Sequence, residues 1–355
     1  MEKVSIIPCI TIHPNYIATH VESDRIRHHP LPGSISSENL NYNNHHGYIS
    51  QSAGRKLKRA VNYMTLLSKG GNNYSKLNWK ELKFKLTFVT LTLSSDQVHT
   101  DNYVKSKMLN QFLIEAKKHW EIENYVWRAE KQGNLNVHFH IIFDKFIPWF
   151  EIRAVWNRIQ AKEGYINRYR LNQEAWHVGK FKVRKDLLAK WDYNSQLKAY
   201  KHGVKSNWSN PNSTDIHSIR LINNVGAYIC KYLTKDANIL YSRVSRKIFK
   251  SPKRYLKGTH SLSFATMKYL RYIAQKGRLW SCSYSLTNIT GATDVISNCI
   301  SDELALIRAH KKFKQINEAY YNIICITLKD LVNLKCNNLI TMFSEYIVEK
   351  FILSG

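Results

Sequence analysis

Tyr125-Val-Trp-Arg-Ala-Glu130 and Val137-His-Phe-His-Ile-Ile-Phe-Asp144 are two short apolar runs separated by Lys131-Gln-Gly-Asn-Leu135. Strand-forming residues on either side of turn residues predict a β-hairpin. Side chains alternate along a strand, so His138 and His140 share one face while Phe139 points into a core on the other. Two imidazoles two residues apart can grip one divalent ion. If residue 130 pairs with 136, then 128 pairs with 138, and Glu130 is a diagonal neighbour of His138 on the same face. Glu130 is therefore the expected third ligand, and a register slip of one residue would turn it away. Two histidines and a carboxylate suit Mg²⁺ or Mn²⁺ beside a phosphate, although imidazole alone does not exclude Zn²⁺.

A second stretch supplies a nucleophile. Tyr228-Ile-Cys-Lys-Tyr-Leu-Thr-Lys235 contains no Gly or Pro, and Asn223-Asn224 upstream can cap a helix. At about 100° per residue, Tyr228, Lys231, Tyr232 and Lys235 fall on one stripe, with Ile229 and Leu233 opposite. A phenol oxygen can attack phosphorus and become linked to it, and a nearby ammonium can stabilise the developing charge. Cys230 points away from this stripe and reads as packing.

The order of these motifs resembles the HUH endonuclease family. A Thr-rich strand (Phe88-Val-Thr-Leu-Thr-Leu93) comes first, then His-hydrophobic-His, then Tyr-x-x-Lys-Tyr-x-x-Lys. The doubled tyrosine motif is similar to that of the two-tyrosine initiators of small circular single-stranded-DNA phages, the microvirus type. The resemblance implies an HUH/RRM-like nuclease core with the histidines on the central strand. It implies that Tyr228 and Tyr232 are the nucleophiles, forming a 5′-phosphotyrosine and freeing a 3′-hydroxyl. His138 and His140 hold the metal, with a third ligand that varies within the family. Lys231 and Lys235 assist electrostatically or in proton transfer.

Composition agrees with a polyanionic partner. The chain has 355 residues and a formal charge of +27, and 21 of its residues are tyrosines. Basic charge interleaved with aromatics suits single-stranded nucleic acid, where bases stack and phosphates sit in a positive groove. Tyr241 to Gly258 holds seven Lys and Arg and no acid. Arg243, Arg246, Lys247, Lys250, Lys253 and Arg254 in it are candidate phosphate contacts. Six scattered cysteines without a C-x-x-C argue against a zinc ribbon and, with no signal peptide, for a reducing cytosol, here that of a bacterial host. No membrane span is expected, the apolar stretch Tyr320–Leu328 being far too short. No G-x-x-x-x-G-K-[ST] occurs, so no P-loop motor is fused, and a host helicase and polymerase are the expected partners at a single-stranded DNA origin.

Elsewhere, Val4–Ile12 reads as a strand broken by Pro8, and Ser52–Ser68 as a basic helix. Leu82–Leu93 reads as a central strand, Asp101–Trp120 as an amphipathic helix, and Ile152–Ile159 as a short helix. Gly179–Leu187 reads as a strand edge, residues 190–220 as loop, and Leu279–Ser285 as another strand edge. Two or three amphipathic helices are expected over Ser301–Phe351. The fold class is α+β: a central antiparallel sheet with helices packed on one face, plus a helical C-terminal extension. The expected division is an extension of polar arm and basic helix over 1–80, an endonuclease domain over 81–290 and the C-terminal extension over 291–355. The function expected is site-specific nicking and rejoining of single-stranded DNA that starts rolling-circle replication. A transposase or relaxase shares that chemistry. A non-catalytic nucleic-acid-binding protein or a zinc hydrolase on His138 and His140 are the other readings.

Overall fold

The computed structural model describes residues 6–23, 49, 51–67, 86–132, 134–217, 277–317 and 321–352. It is α+β, with two antiparallel five-stranded sheets. In chain order the elements begin with the hairpin β1 (Ile6–His13) and β2 (Tyr16–Ser23) and the helix α1 (Gln51–Leu67). β3 (Thr87–Leu91) follows, then α2 (Asn110–Trp120) and the hairpin β4 (Tyr125–Lys131) and β5 (Val137–Phe143). Three helices come next, α3 (Trp149–Lys162), α4 (Tyr165–His177) and α5 (Tyr193–Lys205), before β6 (Thr214–His217). After the gap come β7 (Trp280–Cys282), β8 (Ala292–Val295), α6 (Asn298–Ala309), β9 (Lys314–Asn317), β10 (Tyr321–Cys325), α7 (Leu328–Asn333) and α8 (Asn337–Ile347).

The chain divides into two compact units. One holds Lys85–Ser283 together with His45–Lys58 and carries the sheet β6-β3-β5-β4-β7. β5 is the central strand. Its odd-numbered residues Val137, Phe139, Ile141 and Phe143 are fully buried. Helices cover that face: Met108, Phe112 and Ala116 from the α2 region, and Ile152, Trp156 and Ile159 from α3, join the same core. The Phe139 and Trp156 rings meet edge to face at 6.4 Å. Thr100 caps the Asp101 helical turn by accepting from Tyr103 N, and Val104–Leu109 runs as π-helix before α2 begins. Leu279–Ser285 does supply an edge strand, with Trp280 opposite Arg128 and Cys282 opposite Val126.

Two local expectations fail in this unit. Gly179–Leu187 enters no ladder; it is a loop ending in a single 3₁₀ turn at Lys185–Leu187. Residues 190–220 are not loop throughout but hold α5 and β6. α5 lacks an apolar stripe, which is why composition concealed it. Its two buried positions are Gln196 and Gly203, seven apart on one face. Asp192 caps it through Ser195 N at 2.7 Å, and the Gln196 amide bonds the backbone of Arg184 and Trp191.

The second unit carries the sheet β8-β1-β2-β10-β9, so strands from near both ends of the sequence share one sheet. Pro8 does not break β1, which runs straight through it. A strand residue's N–H and C=O point to the same neighbour, and the Pro8 carbonyl accepts from Ile296 N just beyond β8. Its missing N–H therefore falls where the β8 ladder, which starts at Cys9, has already ended. Over Ser301–Phe351 the expected helices form, but β9 and β10 interrupt them, and the apolar Tyr320–Leu328 stretch supplies β10. Tyr63 and Arg59 of α1 bond the Thr290 and Ile289 carbonyls. Among the described residues no helix is long and apolar enough to cross a membrane.

Candidate metal and nucleic-acid site

The β4–β5 register places Glu130 directly opposite His138, and Arg128 opposite His140. This is two residues away from the pairing expected from the sequence. A slip of two preserves which face each side chain takes, so Glu130 still joins the histidines. Glu130 Oε2 lies 3.3 Å from His140 Nε2 and 3.7 Å from His138 Nε2. The three offer one ligand atom each, all within 4.8 Å of one another. The hairpin end that carries them is pinned: Gln97 accepts from Val137 N, Asn136 bonds Gln97 and Ser95, and Lys131 pairs with Asp101 at 2.7 Å.

The neighbours set the charge states. Thr90 of β3 sits opposite His140, with Oγ1 3.0 Å from Nδ1. When Nδ1 carries the proton it donates to Thr90, and the Nε2 lone pair faces Glu130. Phe88 stacks on the same imidazole, centroids 5.8 Å apart and planes within 9°. Burial by itself raises the Glu130 carboxyl. The two imidazoles and the Arg128 guanidinium outweigh it and hold the group well below the usual carboxylate range. Burial likewise lowers His140, and His138 and Arg128 add to this against the pull of Glu130. The result is an anionic carboxylate beside a neutral imidazole. Both ring nitrogens of His138 are buried without a hydrogen bond. A buried imidazole left so is costly unless something else takes its lone pair. The donor set fits a divalent cation.

Residues 86–237 match the family model of the replication-associated protein ORF2/gene-2 protein. It is a family of rolling-circle replication initiators, and the match supports a role in starting replication. The matched segment is under half of the chain, yet it contains the Thr-rich strand, the Glu130–His138–His140 group and the Tyr228–Lys235 octet. No curated protein and no solved structure matches the chain.

The remaining sequence-derived positions have a different status. Tyr228, Lys231, Tyr232 and Lys235 lie outside the described residues, as do Arg243, Arg246, Lys247, Lys250, Lys253 and Arg254. Three residues on the histidine face carry no assigned role in the sequence reading. Arg128 escapes it because a lone arginine in a strand usually points to solvent, whereas this one is fully buried. Thr90 enters it only as part of a Thr-rich strand. Asp215 of β6, paired with Thr90, falls in the stretch read as loop.

Proposed function

We propose that this protein initiates rolling-circle replication by nicking and rejoining single-stranded DNA through a 5′-phosphotyrosine. The observation that carries this reading is the buried Glu130–His138–His140 group on the central strand, inside the segment that matches a replication-initiator family. Glu130, His138 and His140 would hold Mg²⁺ or Mn²⁺. Such an ion polarises the scissile phosphate and steadies its charge during displacement. Thr90 fixes the His140 ring, and the ionised state of Glu130 is maintained by Arg128 and the imidazoles.

Tyr228 or Tyr232 attacks the phosphorus through its phenol oxygen. The P–Oη bond forms, the P–O3′ bond breaks, and the phenol proton passes to the departing 3′ oxygen. Lys231 and Lys235 assist that transfer or screen the charge. Rejoining is the reverse step with another 3′-hydroxyl, and two tyrosines one helical turn apart allow cutting and resealing to alternate. The basic run from Arg243 to Arg254 contacts phosphates. We assign catalysis to residues 81–290, flanked by extensions over 1–80 and 291–355. A host helicase and polymerase in the bacterial cytoplasm complete the cycle, the chain having no P-loop motif of its own.

The test is a covalent-adduct assay with single-stranded DNA containing the origin and Mn²⁺, with and without EDTA. We expect protein shifted on a denaturing gel only with metal, partial adduct in Tyr228→Phe and in Tyr232→Phe, and none in the double variant. Full adduct in the double variant would refute the nucleophile assignment, and full adduct in EDTA the metal assignment.

A further inference from the structure

α3, α4 and α5 with their loops enclose a cavity of about 420 Å³, in the range of small-molecule sites. Its wall is aromatic. His177 stacks on Trp208 at 5.5 Å with planes within 11°, and Tyr200 and Phe181 pack against the same imidazole. Trp176 and Trp191 also line it but remain 46% and 49% exposed, so the cluster opens to solvent instead of closing as a core. Arg153, Lys182 and Arg184 are part of the lining. Residues 165–208 contain ten Lys and Arg against three Asp and Glu.

Two features show that the backbone is arranged around this wall. Asn207 and Trp208 both lie in the left-handed region, at φ 47° and 53°, a conformation a bulky side chain seldom takes. The Trp208 ring rests on bare backbone at Gly203, where a Cβ would come within 2.0 Å of its Cζ3.

The cavity also borders the catalytic strand order. Arg153 donates from Nε to Thr214 Oγ1 at 3.2 Å and lies over the Trp149 ring. Thr214 pairs with Leu91, and Leu91 with Phe139, which stands between the two histidines. Two strand spacings, about 10 Å, separate that rim from β5.

We propose that this cavity is a second single-stranded DNA subsite. Unpaired bases stack on its rings while Arg153, Lys182 and Arg184 take the adjoining phosphates. It holds the origin strand beside the cleavage site. The choice of DNA as the polymer rests on the replication reading above.

The test measures anisotropy of labelled dT₁₂ and rU₁₂ on the full chain in EDTA, over a salt series. Trp176→Ala/Trp191→Ala removes only exposed rings and should weaken dT₁₂ at least tenfold without changing the salt slope. Lys182→Ala/Arg184→Ala should reduce the slope of log K against log salt by about 1.4, two single-strand phosphate contacts. Independently of any variant, a 5-bromodeoxyuridine oligonucleotide should photocrosslink to the unaltered protein within residues 165–208. Unchanged dT₁₂ affinity in the aromatic variant, crosslinks confined to other segments, or tighter binding of rU₁₂ would each overturn the proposal. Cavity binding without any adduct in the assay above would sink the nuclease reading alone. Adduct formation with no loss of dT₁₂ binding in the variants would sink the cavity alone.

Discussion

Thr90→Val replaces a hydroxyl by a methyl of nearly the same shape, inside a strand where valine is welcome. What it removes is the 3.0 Å contact to His140 Nδ1. Both residues are no more than 9% exposed, so water replaces the lost partner poorly. The cost to folding in EDTA should be about 1–3 kcal/mol, the usual penalty for stranding a buried polar atom. The effect on the metal should be separate. An outer residue that orients a ligating imidazole typically contributes 10–100-fold to affinity. At a Mn²⁺ concentration of about 100 Kd, the parent gains about 2.7 kcal/mol. With affinity about 30-fold weaker, the same Mn²⁺ gives the variant only about 0.9 kcal/mol. Urea unfolding with EDTA and with Mn²⁺ measures both quantities on one protein. If Mn²⁺ stabilises the two proteins equally, Thr90 does not orient a ligand and the hydrogen bond is merely structural. If Mn²⁺ stabilises neither, the Glu130–His138–His140 group is not a metal site.

Gly203→Ala sets two effects against each other. Alanine gains about 1 kcal/mol of helix propensity in α5, but its Cβ meets three Trp208 ring carbons at 2.0–2.5 Å. Overpacking of that kind costs about 1–3 kcal/mol or more, so net destabilisation and a shifted tryptophan emission are expected; a variant more stable than the parent in urea would contradict the placement of Trp208. His13 gives a pH signature. Burial, with the Arg59 charge adding to it, pushes its imidazole down to about 4. Above pH 6.5 it is neutral in both states. Between pH 6.5 and about 4 only the unfolded chain takes the proton, so stability falls as pH drops, by at most about 3 kcal/mol from this group. His13→Phe should flatten that part of the stability–pH curve relative to the parent. Parallel curves for the two proteins would place the His13 ring in water.

Much of the candidate site was legible because strand periodicity is rigid. His138, His140 and Glu130 were brought to one face by parity alone, and parity survives a register error of two. Hydrophobic pattern likewise located β5, the α2 region and the β7 edge. What stayed hidden had no apolar signature. α5 is held by a cap and a buried glutamine amide, and β6 is four residues long and half polar. Arg128 looks like any surface arginine until the sheet is assembled around it. The sharing of one sheet by β1, β2, β8, β9 and β10 depends on pairings hundreds of residues apart, which no local window contains.

Those distant pairings have a consequence during synthesis. The β1–β2 hairpin leaves the ribosome early, but both of its outer edges wait for partners, β8 on one side and β10 on the other. Roughly 270 residues separate β2 from the end of β8. At about 5–20 residues per second the hairpin stands with open edges for some 15–55 s. Unpaired edges of that length invite pairing between nascent chains, and a proline at one edge and charged Glu22 near the other are the kind of residues that discourage it. Yield on overexpression should therefore respond to slower translation or chaperone supply more than to the stability of the finished protein.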